Sequence, residues 1–271
     1  MTTDQLPRAG ETIGGGAFKS LPGGKGANVA LGVKRLGGFS ELLSAVGQDD
    51  YAEQALELLR EEGVSLKHLI RKPDHHTGVA FINVSKDGEN QISVAAGANG
   101  ALTPDDLPEI EADAIISQFE VPLDTIAEAF KTFKGLKVLN PSPVMDGAED
   151  VIALADLVIV NEGEYAAYSK LLQKFNGLVA VTLGAEGAVL RKNGTEIAKA
   201  LPPKVDVIDT TGAGDCFCAA LTLALSEGLA AQEALEFSCT AGALATTKLG
   251  AQISIPRRRD VERVLKSGLK V

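Results

Sequence analysis

Residues 209–217 read Asp-Thr-Thr-Gly-Ala-Gly-Asp-Cys-Phe, so Gly212, Ala213 and Gly214 stand directly before a lone carboxylate, Asp215. An apolar, alanine-rich run from Phe217 to Leu225 follows, and the pattern predicts a tight turn opening a helix. Amide N–H groups at such a turn converge on one spot, and the helix dipole adds positive potential there. That combination receives an anion. A carboxylate beside it repels a resting anion, which argues against a passive phosphate site. Both features are explained if Asp215 takes a proton from an attacking hydroxyl while the N–H groups take up charge moving onto a phosphoryl group. The plain alternative is a glycine turn capped by an aspartate.

Three other segments carry candidate chemistry. Gly23-Gly24-Lys25-Gly26-Ala27-Asn28 precedes an expected helix, where glycines let a ligand approach the backbone and Lys25 and Asn28 supply polar groups. It is not a Walker A loop, because Gly26 follows Lys25, and Val29 spoils a dinucleotide fingerprint. Asn161-Glu162-Gly163-Glu164 follows an apolar strand, so Asn161 and Glu164 could face a hydrated Mg²⁺; an N-cap with acidic first-turn residues explains the same pattern. Thr182-Leu183-Gly184-Ala185-Glu186-Gly187 ends another strand, either as a loop lying flat along a nucleotide or as a simple turn. Glu120 is a further carboxylate at a strand end.

The elements that must position these groups alternate. Helices are expected over 26–36, 51–62, 123–133, 149–154, 165–175, 214–227, 231–248 and 258–267, and strands over 42–46, 114–119, 136–139, 157–160 and 178–183. Hairpins are expected around Lys86-Asp87-Gly88 and Asn193-Gly194. Repeated strand–helix units imply an α/β domain with a mainly parallel sheet covered on both faces. Residues 8–22 and 77–96 interrupt the alternation and are read as strands of a small β-flap, or lid, over the sheet's carboxyl edge.

Bulk properties narrow the function classes. The 271 residues suffice for one α/β domain, and 23% charged residues suit a globule. Net charge is −10 and no basic run exceeds Arg257-Arg258-Arg259, so a nucleic-acid partner is not expected. No apolar run spans a bilayer, and the polar start is no signal peptide. Three sparse cysteines, Cys216, Cys218 and Cys239, suit reduced thiols in the cytoplasm. His68, His75 and His76 are the only histidines, which disfavours zinc and Ser-His-Asp chemistry.

The loop at 23–28, Asn161-x-x-Glu164, Thr182-Leu183-Gly184, Asp209-Thr-Thr-Gly-Ala-Gly-Asp215 and Gly250-Ala251-Gln252 occur in an order that resembles the ribokinase-like carbohydrate kinases. The resemblance runs from Pro7 onward and implies a three-layer α/β/α sandwich with a β-flap. It implies ATP-dependent phosphorylation of a sugar, D-ribose at its 5-hydroxyl, with Asp215 as base and Gly212, Ala213 and Gly214 as anion hole. By the same resemblance Gly24, Lys25, Gly26, Ala27, Asn28 and Glu120 hold the sugar. Asn161, Thr182, Leu183, Gly184, Ala185, Glu186, Gly187, Gly214 and Cys239 line the nucleotide, and Glu164 organises Mg²⁺ through water. A potassium loop falls on Asp209, Thr211, Ala245, Lys248, Gly250 and Ser254, and a homodimer through the flap is implied. Fructose, 2-keto-3-deoxygluconate and adenosine are alternative substrates, and a non-catalytic sugar or nucleotide binder is the reading from another class. Ala96-Gly97-Ala98-Asn99 favours a sugar over a nucleoside. Two departures stand out. The family's first strand, ending near a sugar-binding Asp, has no counterpart, so neighbouring strands are expected to lack a partner. The connection from Asn161 to Thr182 is also short.

Overall fold

The computed structural model describes residues 1–267. In chain order, β1 (Thr2–Thr3) is followed after a long coil by α1 (Lys25–Arg35), β2 (Ser44–Val46), α2 (Asp50–Glu61) and β3 (Leu69–Arg71). A hairpin, β4 (Val79–Ser85) and β5 (Asn90–Ala95), comes next. The alternating section holds β6 (Ala114–Gln118), α3 (Leu123–Thr132), β7 (Leu136–Asn140), α4 (Glu149–Leu154), β8 (Leu157–Asn161), α5 (Glu162–Ala167), α6 (Ser169–Leu172) and β9 (Leu178–Thr182). A second hairpin, β10 (Ala188–Lys192) and β11 (Thr195–Ala200), precedes α7 (Ala213–Ser226), α8 (Ala231–Ala245), α9 (Ala251–Ser254) and α10 (Arg258–Ser267).

The main sheet has the order β11-β10-β9-β8-β7-β6, parallel from β6 to β9 and antiparallel across β10 and β11. Its central strand β8 is apolar and buried from Leu157 to Val160 because both faces are covered. Leu157 and Ile159 join one core with residues of α1, α2, α7, α8 and α10. Val158 and Val160, one residue out of phase, join a second core with Ile126, Phe130, Ile152 and Leu172. The result is a three-layer α/β/α sandwich. Burying each large aliphatic side chain in these layers contributes about 1.5–3 kcal/mol.

Two smaller sheets flank the main one. β2 pairs with β3 in parallel and β1-β4-β5 form a three-stranded sheet. Among the described residues β6 pairs only with β7, and β2 only with β3. The amide of Ala45 in β2 instead donates to Asn99 Oδ1 at 2.9 Å, as does the Ser44 hydroxyl at 2.8 Å.

The expected flap strands divide. Residues 77–96 contain β4 and β5, but residues 8–22 carry no strand, only an isolated bridge from Ala17 to Thr2. The third strand of that sheet is β1 instead. Gly10, Gly14, Gly15 and Gly16 leave the 8–22 stretch without the alternating side chains that fix a strand's register. The single helix expected over 165–175 is two short ones, broken at Tyr168, whose φ and ψ of −98° and 13° leave the helical region.

Candidate active site

The parallel strands end in a row of polar residues. Gln118 lies in register beside Asn140, and Asn161 beside Thr182. Apolar strand interiors thus give way to hydrogen-bonding groups at the carboxyl edge, where open α/β sheets bind ligands.

The 209–217 turn opens α7 at this edge. Gly212 is the N-cap with φ of 79°, a left-handed conformation, and a Cβ there would lie 2.7 Å from that of Ala251. Only glycine meets both demands. Ala213 N–H donates to Thr210 O at 3.2 Å, and the amides that follow belong to the first turn, which has no intrahelical acceptor. A Cβ placed on Gly214 would meet nothing within 4 Å, so the space before the helix is open.

Asp215 is 7% exposed. Burial pushes its carboxyl above the ordinary value, opposed by the Lys25 charge and the Asn28 hydrogen bond. Asn28 Nδ2 donates to Asp215 Oδ2 at 2.7 Å, and Lys25 Nζ lies 3.9 Å from Oδ1. Both partners come from the start of α1, packed directly on α7. Glu120 binds the same loop, its Oε2 accepting Lys25 N–H at 2.9 Å. The structure therefore gathers Lys25, Asn28, Glu120 and Asp215, which are distant in sequence, at one place.

Several buried polar atoms around this loop have no protein partner: Asn28 Oδ1, Gln118 Nε2 and Gln252 Oε1. Gln118 lies beside Gly26, and Gln252 Nε2 donates to Gly23 O at 3.4 Å. Such atoms cost free energy when unsatisfied. A polyhydroxyl ligand supplies both donors and acceptors.

Along the edge, Asn161 and Glu164 close a capping box. Asn161 Oδ1 accepts Glu164 N–H at 2.8 Å, and Glu164 Oε2 accepts Asn161 N–H at 2.9 Å. The N-cap explanation of this motif is therefore realised, with Asn140 Nδ2 reaching the same Oε2 at 3.5 Å. Among the described residues no group of three or more His, Cys, Asp or Glu gathers as a metal site. The Thr182–Gly187 stretch turns through a short 3₁₀ segment at Gly184–Glu186, with Leu183 N–H donating to Gly187 O.

The 209–211 and 245–254 segments also meet. Asp209 Oδ2 accepts Gly250 N–H at 2.8 Å, its Oδ1 accepts the Thr211 N–H and hydroxyl, and Thr246 O accepts the amides of Ile208 and Asp209. Burial raises the Asp209 carboxyl, but these hydrogen bonds outweigh it and hold the group below its usual range. Ala245 and Ser254 are buried nearby in the sequence of this turn, and Lys248 is exposed.

The model of the pfkB family of carbohydrate kinases matches residues 1–258. The chain belongs to that family. Ribokinase of Bacillus subtilis is 35% identical over 281 residues, covering 98% of this chain and 94% of its own. Among solved structures, ribokinase of Thermotoga maritima superposes with a TM-score of 0.87 at 33% identity, covering 98% of this chain and 95% of its own. Arabidopsis thaliana ribokinase, solved with ribose and ATP, gives 0.85 at 29% identity, covering 98% and 94%.

Cys239 sits in the core between α8 and β11, 5% exposed, with its thiol donating to Ala200 O at 3.7 Å. Burial pushes that thiol up to about 12. Sequence reasoning missed Gln118 as a site residue, although a polar residue closing an apolar strand was a usable signal. Gln252 stood in a recognised motif without a role.

Proposed function

We propose that this protein transfers the γ-phosphoryl group of ATP to the 5-hydroxyl of D-ribose, giving ribose 5-phosphate. The observation that carries the reading is the contact between the buried Asp215 carboxylate at the mouth of α7 and the Lys25 and Asn28 groups of the glycine loop. A base, an electropositive helix start and buried polar atoms without a protein partner coincide there. Asp215 accepts the proton as the hydroxyl attacks, and the Gly212–Gly214 amides neutralise the migrating charge. Lys25 reinforces that positive field, and Asn28 orients the base. Gly24, Gly26, Ala27 and Glu120 bound the sugar recess. Phosphoryl transfer asks mainly for such positioning and charge compensation. The solved ribose and ATP complex of a relative supports the substrate pair.

Asn161 and the Thr182–Gly187 turn are suited to the ATP phosphates by their place at the carboxyl edge. Glu164 would hold a magnesium ion through water, as a lone carboxylate does when phosphates complete the shell. Magnesium bound to the phosphates supplies charge neutralisation. A potassium ion in the turn tied by Asp209 and Gly250 would stiffen the anion hole. The β1-β4-β5 sheet is the lid. Its exposed Phe81, Ile92 and Val94 suit a homodimer formed by pairing two lids. Three free, buried thiols suit the reducing cytoplasm. No helix among the described residues is long and apolar enough to cross a membrane.

A coupled ADP-release assay over a panel of ribose, 2-deoxyribose, fructose, 2-keto-3-deoxygluconate and adenosine tests the reading. The highest kcat/KM is expected with ribose. Preference for another substrate replaces ribose in the account, and ribose binding in a calorimeter without turnover would favour the non-catalytic binder.

A further inference from the structure

Asp49 does two jobs at once. It caps α2, Oδ1 accepting Ala52 N–H at 2.9 Å. The same carboxylate also grips Thr77: Oδ2 accepts the Thr77 N–H at 2.8 Å and Oδ1 accepts its hydroxyl hydrogen at 2.7 Å. Thr77 Oγ1 in turn accepts Gly47 N–H at 3.0 Å. Burial raises the Asp49 carboxyl, but the hydrogen bonds from Thr77 and Ala52 prevail and keep it below its ordinary value.

Thr77 lies two residues before β4, where the chain enters the lid, and is itself buried. The chain leaves the lid at Ala95 and crosses this same point. Gly97 has φ of 54°, and a Cβ on it would collide with His76 O and lie 2.8 Å from Gly78 N. Ala98 N–H donates to His76 O at 2.7 Å. Two residues later Asn99 fastens the departing strand to Ser44 and Ala45. Both stems of the lid are thus tied to the β2–α2 corner. Beyond them β5 is exposed along its whole length, so the lid's attitude is set at its base.

We propose that Asp49 and Thr77 are positioning residues that clamp the lid at the angle needed to cover the sugar. Neither residue touches the reacting atoms. The inference rests on the sugar-kinase reading and deepens it by naming what presets its lid. Loosening the clamp lowers the fraction of molecules in the competent pose, which raises the apparent dissociation constant in proportion.

Asp49→Asn is the informative variant. Asparagine caps helices as well as aspartate does, so α2 keeps its cap, yet an amide nitrogen replaces one of the acceptors serving Thr77. Thr77→Val removes the hydroxyl and both of its bonds, and Thr77→Ser retains them. Expected are a rise in KM for ribose of roughly tenfold in Asp49→Asn and Thr77→Val, unchanged kcat and KM for ATP, and wild-type behaviour in Thr77→Ser. Hydrogen–deuterium exchange on the sugar-free proteins should show faster exchange across residues 79–95 in the first two variants only. An unchanged ribose KM and unchanged exchange in an active enzyme would overturn the clamp. So would equal rises in both KM values accompanied by a lowered Tm, the mark of a merely structural role. If the wild type phosphorylates no sugar, the kinase reading fails on its own terms, and the exchange comparison still decides the clamp.

Discussion

Replacing Asp215 by asparagine separates catalysis from stability. The change is isosteric, and the new side-chain oxygen can still accept the 2.7 Å hydrogen bond from Asn28. What disappears is a proton acceptor. Loss of a positioned base costs about 10²–10⁴ in kcat, which at 1.36 kcal/mol per decade is about 2.7–5.4 kcal/mol of transition-state stabilisation. Stability moves the other way. Burial raises the folded-state pKa of Asp215 above the unfolded value. The folded protein therefore binds more protons between those two values, stability falls as pH rises through that window, and the deficit persists at neutral pH. The asparagine variant carries no such deficit. Its Tm at pH 7 should equal or exceed that of the wild type, and the difference should shrink as pH falls toward the ordinary carboxylate value. Steady-state ADP release and thermal melts between pH 4 and pH 7 read both quantities. Normal turnover by Asp215→Asn refutes the base assignment. A marked fall in its Tm at pH 7 refutes the linkage, because it makes the carboxylate a stabilising group.

Other consequences follow from the same geometry. The logarithm of kcat/KM should fall on the acid side with a midpoint above the ordinary aspartate pKa, since the protonated Asp215 cannot accept the hydroxyl proton; a limb at or below the ordinary value would count against a buried base. Gly212→Ala forces a side chain into a left-handed backbone conformation and against Ala251; a loss of about 1–3 kcal/mol of stability is expected, with kcat reduced more than ATP affinity, and a fully active, equally stable variant would remove the requirement for glycine. Asp209→Ala unties the Gly250 amide, so the ratio of rates in potassium to those in sodium should approach one, whereas a ratio like the wild type's would take the cation away from this turn.

Much of the scaffold was legible because it depends on local patterns. The continuous apolar run Leu157–Val160 is buried on both faces, as a central parallel strand requires. The Asn193-Gly194 signal did mark a hairpin, both residues having positive φ. Failures came where local signals were weak. β3 is three residues long and exists through its pairing with β2, a contact no local pattern encodes. β1 is two residues beside a bridge to Ala17. The glycine-rich 8–22 stretch interrupts the alternation without becoming a strand. At the site, residue types pointed to Asp215, Lys25, Asn28 and Glu120 individually. Their mutual geometry did not follow from spacing, because Asn28 and Asp215 are 187 positions apart and meet only when α1 packs on α7. Asp49 and Thr77 gave no catalytic signal at all, since their work lies in joining two segments.

The central claim is that a sugar hydroxyl is presented to Asp215 in front of the α7 amides. A crystal structure with ribose and a non-hydrolysable ATP analogue measures this directly. The 5-hydroxyl oxygen should lie within hydrogen-bond reach of the Asp215 carboxylate, roughly 2.6–3.2 Å, with the terminal phosphate facing the Gly212–Gly214 backbone. A sugar seated with its 5-hydroxyl turned away from Asp215, or a terminal phosphate bound far from that helix start, would contradict the account.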